Sequence, residues 1–325
     1  MSFFVYAFKR IAYGILIVMI IVAMNFIIVN LAPGDPAVAM GGELVLSNPE
    51  YVKAVRERWG LDKPLIHRLL LYLYNVFLRL DLGYSYRYLE PVSKLIVERL
   101  PYTLLLTVTS SILAFALGLL TSVISIKRLG RVDTVLTTSS LVLWSVPVFY
   151  LGIVLVWIFS VNLKLFPAAG LIDVKNPKTG IYYVLDVLHH AFLPVTTLTL
   201  ALYPAYYKLL RDTMFEVLGE DFVMTFRAVG LDEGKLIRRH VLRNALIPAV
   251  TLLGLQLGYS VAGAALIENV FGWPGVGKLL LDTVYVRDYP VIMGIFLITS
   301  STVVVANIVV DLIYAALDPR VRVGK

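Results

Sequence analysis

The chain has 325 residues, of which 59% are hydrophobic and 16% are charged, and its mean hydropathy is +0.82. Soluble domains carry about 25% charged residues, so this composition excludes an ordinary soluble protein and indicates a membrane protein. The net charge of +7 comes from basic residues scattered between apolar runs, without a nucleic-acid motif, which argues against nucleic-acid binding. No cysteine is present, which excludes disulfides and thiolate metal sites.

Six segments are apolar over the roughly 20 residues that a membrane-spanning helix needs. The fourth is short and contains Pro194 and Pro204, so we expect it to be broken. A shorter apolar run, residues 69–78, predicts a helix that lies at the membrane interface or packs on the membrane domain. The six predicted spans are residues 11–31, 102–126, 135–161, 191–207, 245–267 and 291–310.

The basic residues predict the side of the membrane on which each connection lies. They are concentrated before the first span, in the second and fourth connections and at the C-terminus, which the positive-inside rule assigns to the cytoplasm. We therefore expect both termini to be cytoplasmic and residues 32–98 to be extracytoplasmic. The residues that set this orientation are Lys9, Arg10, Lys127, Arg128, Arg131, Lys208, Arg211, Arg227, Lys235, Arg238, Arg239, Arg243, Arg320, Arg322 and Lys325.

The stretch "NVFGWPGVGKLL" (residues 269–280) contains the G-x-x-x-x-G-K spacing of a P-loop, which ends at Lys278. A nucleotide site of this kind needs Ser or Thr after the lysine and a strand before the loop. Leu279 follows the lysine instead, a predicted span precedes the stretch, and the orientation places it outside the cell. We therefore predict a turn, with Trp273 anchored at the outer membrane interface, and no nucleotide site.

The fourth connection has the pattern of a helix, a turn and a second helix. Residues 220–229 contain good helix formers with apolar residues on one side. Gly230 stands where a helix ends in the left-handed conformation, and Asp232 can cap the helix that follows. The second helix has its own apolar stripe, which fits either a partner protein or the lipid surface. The stripe consists of Leu236, Ile237, His240 and Val241.

The segment "EDFVMTFRAVGLDEGKLIRRHVLRNALIP" (residues 220–248) resembles the cytoplasmic coupling loop of ABC importer permeases, in the variant of dipeptide and oligopeptide permeases. That variant reads approximately T-x-R-A-x-G and then R-H-x-L-R-N-A-L-I-P. The general E-A-A start of the loop is absent, since Met224, Thr225 and Phe226 stand there, and this departure matches the peptide-type branch. The resemblance implies that coupling to the ATPase involves Thr225, Arg227, Ala228, Gly230, Arg239, His240, Arg243 and Asn244.

Further strings resemble the same branch in the same order. The resemblance implies an all-α, polytopic membrane protein with six transmembrane helices and the type I ABC importer permease fold. The strings are "LAPGDP" (31–36), "DLGYS" (81–85), "ERLPYTL" (98–104), "SVPVF" (145–149), "ENVFGWPGVGKLL" (268–280), "DYPVIMG" (288–294) and "DLIYAALDPRVR" (311–322). The implied parts are an N-terminal transmembrane helix (1–31), an extracytoplasmic connection with short helices (32–98), a permease core (99–318) that contains the coupling loop (212–244), and a cytoplasmic tail (319–325).

The resemblance also implies a function and partners. The chain would form half of a transmembrane pathway for dipeptides or oligopeptides in the cell membrane of a prokaryote. Its implied partners are a second homologous permease subunit, two cytoplasmic ABC ATPase subunits and an extracytoplasmic solute-binding protein. ATP and Mg would bind to the ATPase subunits, and we expect no catalytic residue, cofactor or metal in this chain. Oligosaccharides and nickel are the alternative substrates of this branch.

Polar and aromatic residues within or beside the spans are candidates for the translocation pathway. Pro147 interrupts the third predicted span, where a simple kink is the alternative. The fifth span is the one that the resemblance places beside the pathway. The pathway candidates are Trp144, Ser145, Pro147, Gln256 and Tyr259, and the candidates for an outer gate or a docking surface for the binding protein are Glu268, Trp273 and Lys278.

A membrane-embedded enzyme and a transporter that works alone are the alternatives from other classes. An enzyme would need a motif such as H-E-x-x-H or paired carboxylates within a span. The sequence shows only His189 and His190 side by side at a predicted outer boundary, and no metal-ligand cluster that would favour nickel. A stand-alone transporter would show inverted repeats and charged residues in mid-membrane, and neither is evident.

Overall fold

The computed structural model describes residues 3–31, 53, 62–260 and 264–317. Most of these residues are helical. A helix pairs its own backbone N–H and C=O groups, which lipid cannot hydrogen-bond. Two π-helical segments, Val156–Asn162 and Ile237–Val241, continue α-helices. The α-helices are α1 (Phe3–Leu31), α2 (Leu65–Arg79), α3 (Val92–Lys127), α4 (Arg131–Ser145), α5 (Val148–Leu155), α6 (Ile181–Leu218), α7 (Asp221–Ala228), α8 (Glu233–Leu236), α9 (Leu242–Tyr259), α10 (Ala265–Val270), α11 (Val276–Val286) and α12 (Tyr289–Leu317).

The described helices confirm the prediction of a multi-span, all-α membrane protein. Among the described residues, five helices are long and apolar enough to cross a membrane, and a bent helix pair makes a sixth candidate span. The five correspond to α1, α3, α6, the continuous stretch from α8 to α9, and α12. The strings "LAPGDP" (after Leu31) and "DPRVR" lie outside the described residues, as do the basic residues at the C-terminus.

The third predicted span is a pair of helices rather than one. α4 and α5 meet at an angle of 103°, which is far larger than the simple kink that was the alternative. Val146, between them, has an extended backbone with φ −83° and ψ 125°. The ring of Pro147 explains this conformation, since a proline disfavours the helical region for the residue before it.

The prediction that prolines break the fourth span is wrong. α6 runs through Pro194 and Pro204 without interruption for 38 residues, which is about 57 Å at 1.5 Å per residue. Each proline removes one helical hydrogen bond, and both rings are buried by neighbouring side chains. α6 therefore continues well beyond a bilayer core of about 30 Å, into the region predicted to be the fourth connection.

The chain divides into two compact units. The first contains the described residues up to Thr103, residues 264–265 and those from Pro274 onward, and the second contains Leu104–Ser260 and Leu266–Trp273. In the first unit α1 packs along α12. A Cβ on Gly14 of α1 would stand 2.6 Å from the Cδ1 atom of Ile308, so a larger residue there would require the Ile308 side chain to move.

The short apolar run before the second span forms α2, which packs against α1 in the first unit. The guanidinium of Arg68 donates to Asn30 Oδ1 at 2.6 Å, and the rings of Phe26 and Tyr72 stack with centroids 5.4 Å apart. α2 therefore packs on the membrane domain, as one of the two alternatives from the sequence states. Burial raises the pKa of Tyr72 well above its usual value.

Two strings that the resemblance singled out meet in the first unit. Asp288, from "DYPVIMG", accepts hydrogen bonds from Ser85 Oγ at 2.5 Å, from the backbone N–H of Tyr86 at 3.2 Å and from that of Arg87 at 3.1 Å. Ser85, from "DLGYS", and Asp288 are both buried. Since a buried carboxylate is costly unless it is hydrogen-bonded, this cluster specifies how the two segments pair.

Close packing and a hydrogen bond join α12 and α11 to α3. A Cβ on Gly294 would stand 2.5 Å from Val92 Cγ1, so a side chain there would push α12 and α3 apart. Thr103 of "ERLPYTL" is buried, and its Oγ1 accepts a hydrogen bond from the backbone N–H of Val276 at 2.8 Å. The first turn of α11 is thereby tied to α3.

Substitution of Asp288 by alanine should destabilise the protein, because the buried hydroxyl of Ser85 and two partly buried backbone N–H groups would lose their acceptor. Each unsatisfied buried group costs about 1–3 kcal/mol, so the purified variant should unfold at a clearly lower temperature and reach lower membrane levels. Asp288→Asn is the matched control, since it keeps one acceptor oxygen, and it should lose less. Equal thermal stability of Asp288→Ala and the wild type would contradict the conclusion that Asp288 holds the two segments together.

Candidate functional site

The predicted coupling segment has the helix, turn and second helix that its sequence predicts. α7 (Asp221–Ala228) ends in a turn in which Gly230 has a φ of +78°. The N–H of Gly230 donates to the carbonyl oxygen of Arg227 at 3.0 Å. Asp232 Oδ2 accepts from the backbone N–H of Lys235 at 3.0 Å and caps α8. Glycine is favoured at this position because the left-handed conformation costs other residues roughly 1–2 kcal/mol.

The apolar sides of both short helices are covered by the chain itself. Val223 of α7 and Leu236 and Val241 of the following stretch are completely buried. They form one core with Leu210 and Met214 of α6. For these side chains the alternatives of a partner protein or lipid are therefore both wrong, because α6 extends far enough to cover them.

A different side of α7 is exposed. Met224 and Val229 are 67% and 75% exposed, and Thr225 and Ala228 between them are exposed as well. Thr225 Oγ1 donates within its own helix, to the carbonyl oxygen of Asp221 at 3.2 Å. This side combines apolar and small polar groups, a composition suited to contact with another protein.

Side-chain contacts hold α7 against the stretch that follows it. Arg227 forms a two-point ion pair with Glu233, with Nη2···Oε1 at 2.7 Å and Nε···Oε2 at 3.3 Å. The ring of His240 lies 4.3 Å from that of Phe226. The Glu233 carboxylate raises the pKa of Arg227, whose guanidinium is charged in any case. Arg227 thus bonds to a carboxylate of its own loop.

The remaining predicted coupling residues lie along the start of the fifth span. Arg239 and Arg243 are exposed. Asn244 is exposed too, and its Nδ2 donates to the carbonyl oxygen of His240 at 3.1 Å. The structure thus gathers all eight predicted coupling residues into one segment, while their contact with an ATPase stays a prediction.

A polar network that the sequence did not indicate lies where α6 leads to this segment. Arg211 of α6 binds both carboxylate oxygens of Asp133 in α4, at 2.7 and 2.8 Å. Ser125 of α3 also donates to Asp133, and the hydroxyl of Tyr207 lies 3.2 Å from Ser125 Oγ and 3.0 Å from Thr137 Oγ1. Three helices are joined in this way. No sequence signal links Arg211 with Asp133, because they are 78 positions apart.

The predicted pathway residues all belong to the second unit. Trp144, Ser145 and Pro147 are exposed at the break between α4 and α5, and Trp144 is 62% exposed. Ser145 Oγ donates to a carbonyl of its own helix. Gln256 is half-buried, and Tyr259 is 49% exposed at the end of α9. Their contact with a transported solute stays a prediction.

At the glycine-rich turn, residues 272–275, the structure contradicts one prediction from the sequence. Trp273 is fully buried, so the prediction that it anchors at the membrane interface is wrong. Glu268 is also fully buried, and its carbonyl oxygen accepts from the N–H of Trp273 at 2.7 Å. The helix α10 precedes the turn where a P-loop would have a strand. Lys278 pairs with Asp282 at 3.0 Å, and a gate or docking role for these residues stays a prediction.

Three potential metal ligands come together in the second unit. Ligand atoms of Asp186, His189 and His190 all lie within 4.8 Å of one another. These residues line a cavity of about 680 Å³ together with residues of the 164–178 loop. The sequence signal was D-x-x-H-H, whose spacing fits one side of a helix. It was missed because the helix was predicted to begin only at residue 191, whereas α6 begins at Ile181.

Comparison with known proteins covers nearly the whole chain. Residues 114–323 match the family described as "Binding-protein-dependent transport system inner membrane component". Residues 2–107 match the family "Binding-prot-dependent transport system membrane comp, N-term".

Curated relatives show the same similarity. The chain is 37% identical over 323 residues to "Oligopeptide transport system permease protein AppB" of Bacillus subtilis (strain 168), which covers 98% of this chain and 99% of the relative. It is 35% identical over 320 residues to "Dipeptide transport system permease protein DppB" of Escherichia coli (strain K12), with coverage of 93% and 94%. It is 36% identical over 318 residues to "Glutathione transport system permease protein GsiC" of Escherichia coli O6:H1, with coverage of 98% of each chain.

Double-mutant cycles should separate the two ion pairs of this region. Arg211 and Asp133 are only 21% and 16% exposed, whereas Arg227 and Glu233 are 48% and 54% exposed. Alanine substitutions should show a coupling energy of about 1 kcal/mol or more for the first pair and about 0.2–1 kcal/mol for the second. The measurement is the unfolding of the purified protein in detergent, and a larger coupling for the exposed pair would contradict the proposed network.

Proposed function

Because this chain belongs to the family of binding-protein-dependent transport system inner membrane components, we propose that it forms half of the transmembrane pathway of an ABC importer for dipeptides or oligopeptides. The observation that carries this proposal is the near full-length similarity to peptide permeases, at 35–37% identity. The folded coupling segment between the fourth and fifth spans supports it. A membrane-embedded enzyme receives no comparable support.

The coupling segment supplies the mechanical link in this proposal. Partner ATPases bind and hydrolyse ATP with Mg, and the exposed side of α7 around Met224 and Val229 contacts them. α7 is packed on α6 through the core that contains Val223, so a displacement of α7 carries α6 with it. The Arg211–Asp133 pair passes the displacement to α4. Such coupling requires two global states that the ATPase and the solute favour differently.

The assembly that we propose has four kinds of subunit. This chain pairs with a second homologous permease, each permease contacts one of two cytoplasmic ATPases, and an extracytoplasmic binding protein delivers the solute. Both termini lie in the cytoplasm of a prokaryotic cell, because the basic residues are concentrated in the connections on that side. Oligosaccharides and nickel are the alternative cargo, since the binding protein sets most of the selectivity.

Uptake by the reconstituted transporter tests this function. Proteoliposomes that contain the complete transporter, with ATP inside and the binding protein outside, should accumulate a labelled peptide and neither an oligosaccharide nor Ni²⁺. Gly230→Val should stay in the membrane and reduce uptake at least tenfold, because its left-handed backbone excludes a β-branched residue. Gly230→Asn is the matched control, since asparagine tolerates this conformation, and it should retain most uptake. Accumulation of an oligosaccharide in place of peptide would overturn the cargo assignment.

Substitution of Met224 by glutamate should weaken the contact with the ATPases without affecting folding, because the side chain is 67% exposed. The fraction of ATPase that copurifies with the permease should fall about tenfold. Val174→Glu is the matched control, since Val174 is 84% exposed in the loop that we place on the opposite side of the membrane. Undiminished copurification of Met224→Glu would exclude this side of α7 as the contact surface.

A further inference from the structure

The first turns of α6 carry three side chains of the type that bind metals. Asp186, His189 and His190 follow the i, i+3, i+4 spacing that places residues on one side of a helix. Asp186 and His190 are 4% and 8% exposed, so both are held in place by their surroundings, while His189 is open to solvent. Their ligand atoms lie within 4.8 Å of one another. Metal–ligand bonds of about 2.0–2.2 Å need separations of roughly 3–4.4 Å, so the side chains have to move closer together when one ion binds.

Hydrogen bonds orient both imidazole rings. His190 Nδ1 lies 2.8 Å from the carbonyl oxygen of Asp186, and His189 Nε2 lies 3.0 Å from that of Leu165. A carbonyl oxygen can only accept, so the nitrogen beside it carries the proton, and the other nitrogen of each neutral ring keeps its lone pair. Histidines that bind metals are oriented by carbonyls in the same way.

The carboxylate of Asp186 already attracts a cation. Lys178 Nζ lies 3.0 Å from its Oδ1 atom, and the backbone N–H of Asp173 donates to Oδ2 at 2.7 Å. The side chain of Lys178 is 44% exposed, whereas that of Asp186 is 3% exposed. The ammonium group can therefore move into solvent at little cost and leave a fixed carboxylate for a more highly charged ion.

We propose that Asp186, His189 and His190 bind one divalent transition-metal ion of the class of Zn²⁺, Ni²⁺ and Cu²⁺. Two imidazoles and a carboxylate suit these ions, whereas Ca²⁺ and Mg²⁺ prefer oxygen ligands alone. Lys178 leaves Asp186 when the metal binds, and water or Asp173, which lines the same cavity, completes the coordination. The proposal departs from the expectation from the sequence that this chain holds no metal.

The metal would tie the 164–178 loop to α6. Leu165 orients His189, and the backbone N–H of Asp173 bonds to Asp186, so ligation at the helix acts on the loop at these two points, while Lys178 is released. None of these residues belongs to the coupling segment or to the predicted pathway residues. The proposal is therefore independent of the peptide-import function, and each can fail without the other.

Metal titration of the full-length chain tests the site. The protein is purified without a polyhistidine tag, stripped with EDTA and titrated with Zn²⁺ by calorimetry, while bound Cu²⁺ is examined by electron paramagnetic resonance. The wild type should bind one ion and show coupling of Cu²⁺ to two nitrogens. His189→Ala, an exposed substitution that leaves the fold intact, should weaken Zn²⁺ binding at least tenfold and leave one coupled nitrogen. His67→Ala, on α2, is the matched control and should bind as the wild type does.

Lys178→Met provides the opposite test. Because the ammonium group competes with the metal for Asp186, its removal should tighten Zn²⁺ binding severalfold, whereas Lys175→Met in the same loop should change it little. Tighter binding in Lys178→Met together with weaker binding in His189→Ala supports the site. Failure of the wild type to bind Zn²⁺ overturns the proposal. A Zn²⁺ affinity of Lys178→Met or of His189→Ala that equals the wild-type affinity also overturns it.

Discussion

The packing of Val223, Leu236 and Val241 against Leu210 and Met214 of α6 connects the coupling segment to the longest helix of the chain. Burial of each such side chain contributes about 1.5–3 kcal/mol relative to exposure, which is enough to hold helices as short as α7 and α8 that would not form alone. Because α6 continues past the bilayer, its last turns can serve as the platform. The exposed side of α7 is then oriented by a rigid helix rather than by a loop.

Polar contacts act where helices must be paired in one way rather than merely held together. Arg211 with Asp133, and Asp288 with Ser85, each join segments that are far apart in the chain. A partly buried charge tolerates few alternative arrangements, since any shift leaves donors or acceptors without partners. Apolar surfaces inside a bilayer do not discriminate in this way, because lipid is as apolar as leucine.

Local chemistry made much of the candidate site predictable. The turn at Gly230 and the cap at Asp232 depend on a few neighbouring residues, and the structure has both. The position of the apolar stripe was predicted correctly, but the surface that covers it was not. Leu236 and Val241 are covered by turns of α6 beyond residue 207, where the predicted span ended. The cluster of Asp186, His189 and His190 was missed because the predicted span began at residue 191, whereas α6 begins at Ile181.

The sequence by itself determined that the chain is an all-α membrane protein, where its apolar segments lie and how its coupling segment turns, because hydropathy and capping act over about 20 residues or fewer. Only the tertiary structure decided that α6 runs through Pro194 and Pro204, that the third span bends by 103°, and that Glu268 and Trp273 are buried. These features depend on which distant side chains surround a residue, and burial by such neighbours outweighs the local preference of a proline, an acid or a tryptophan.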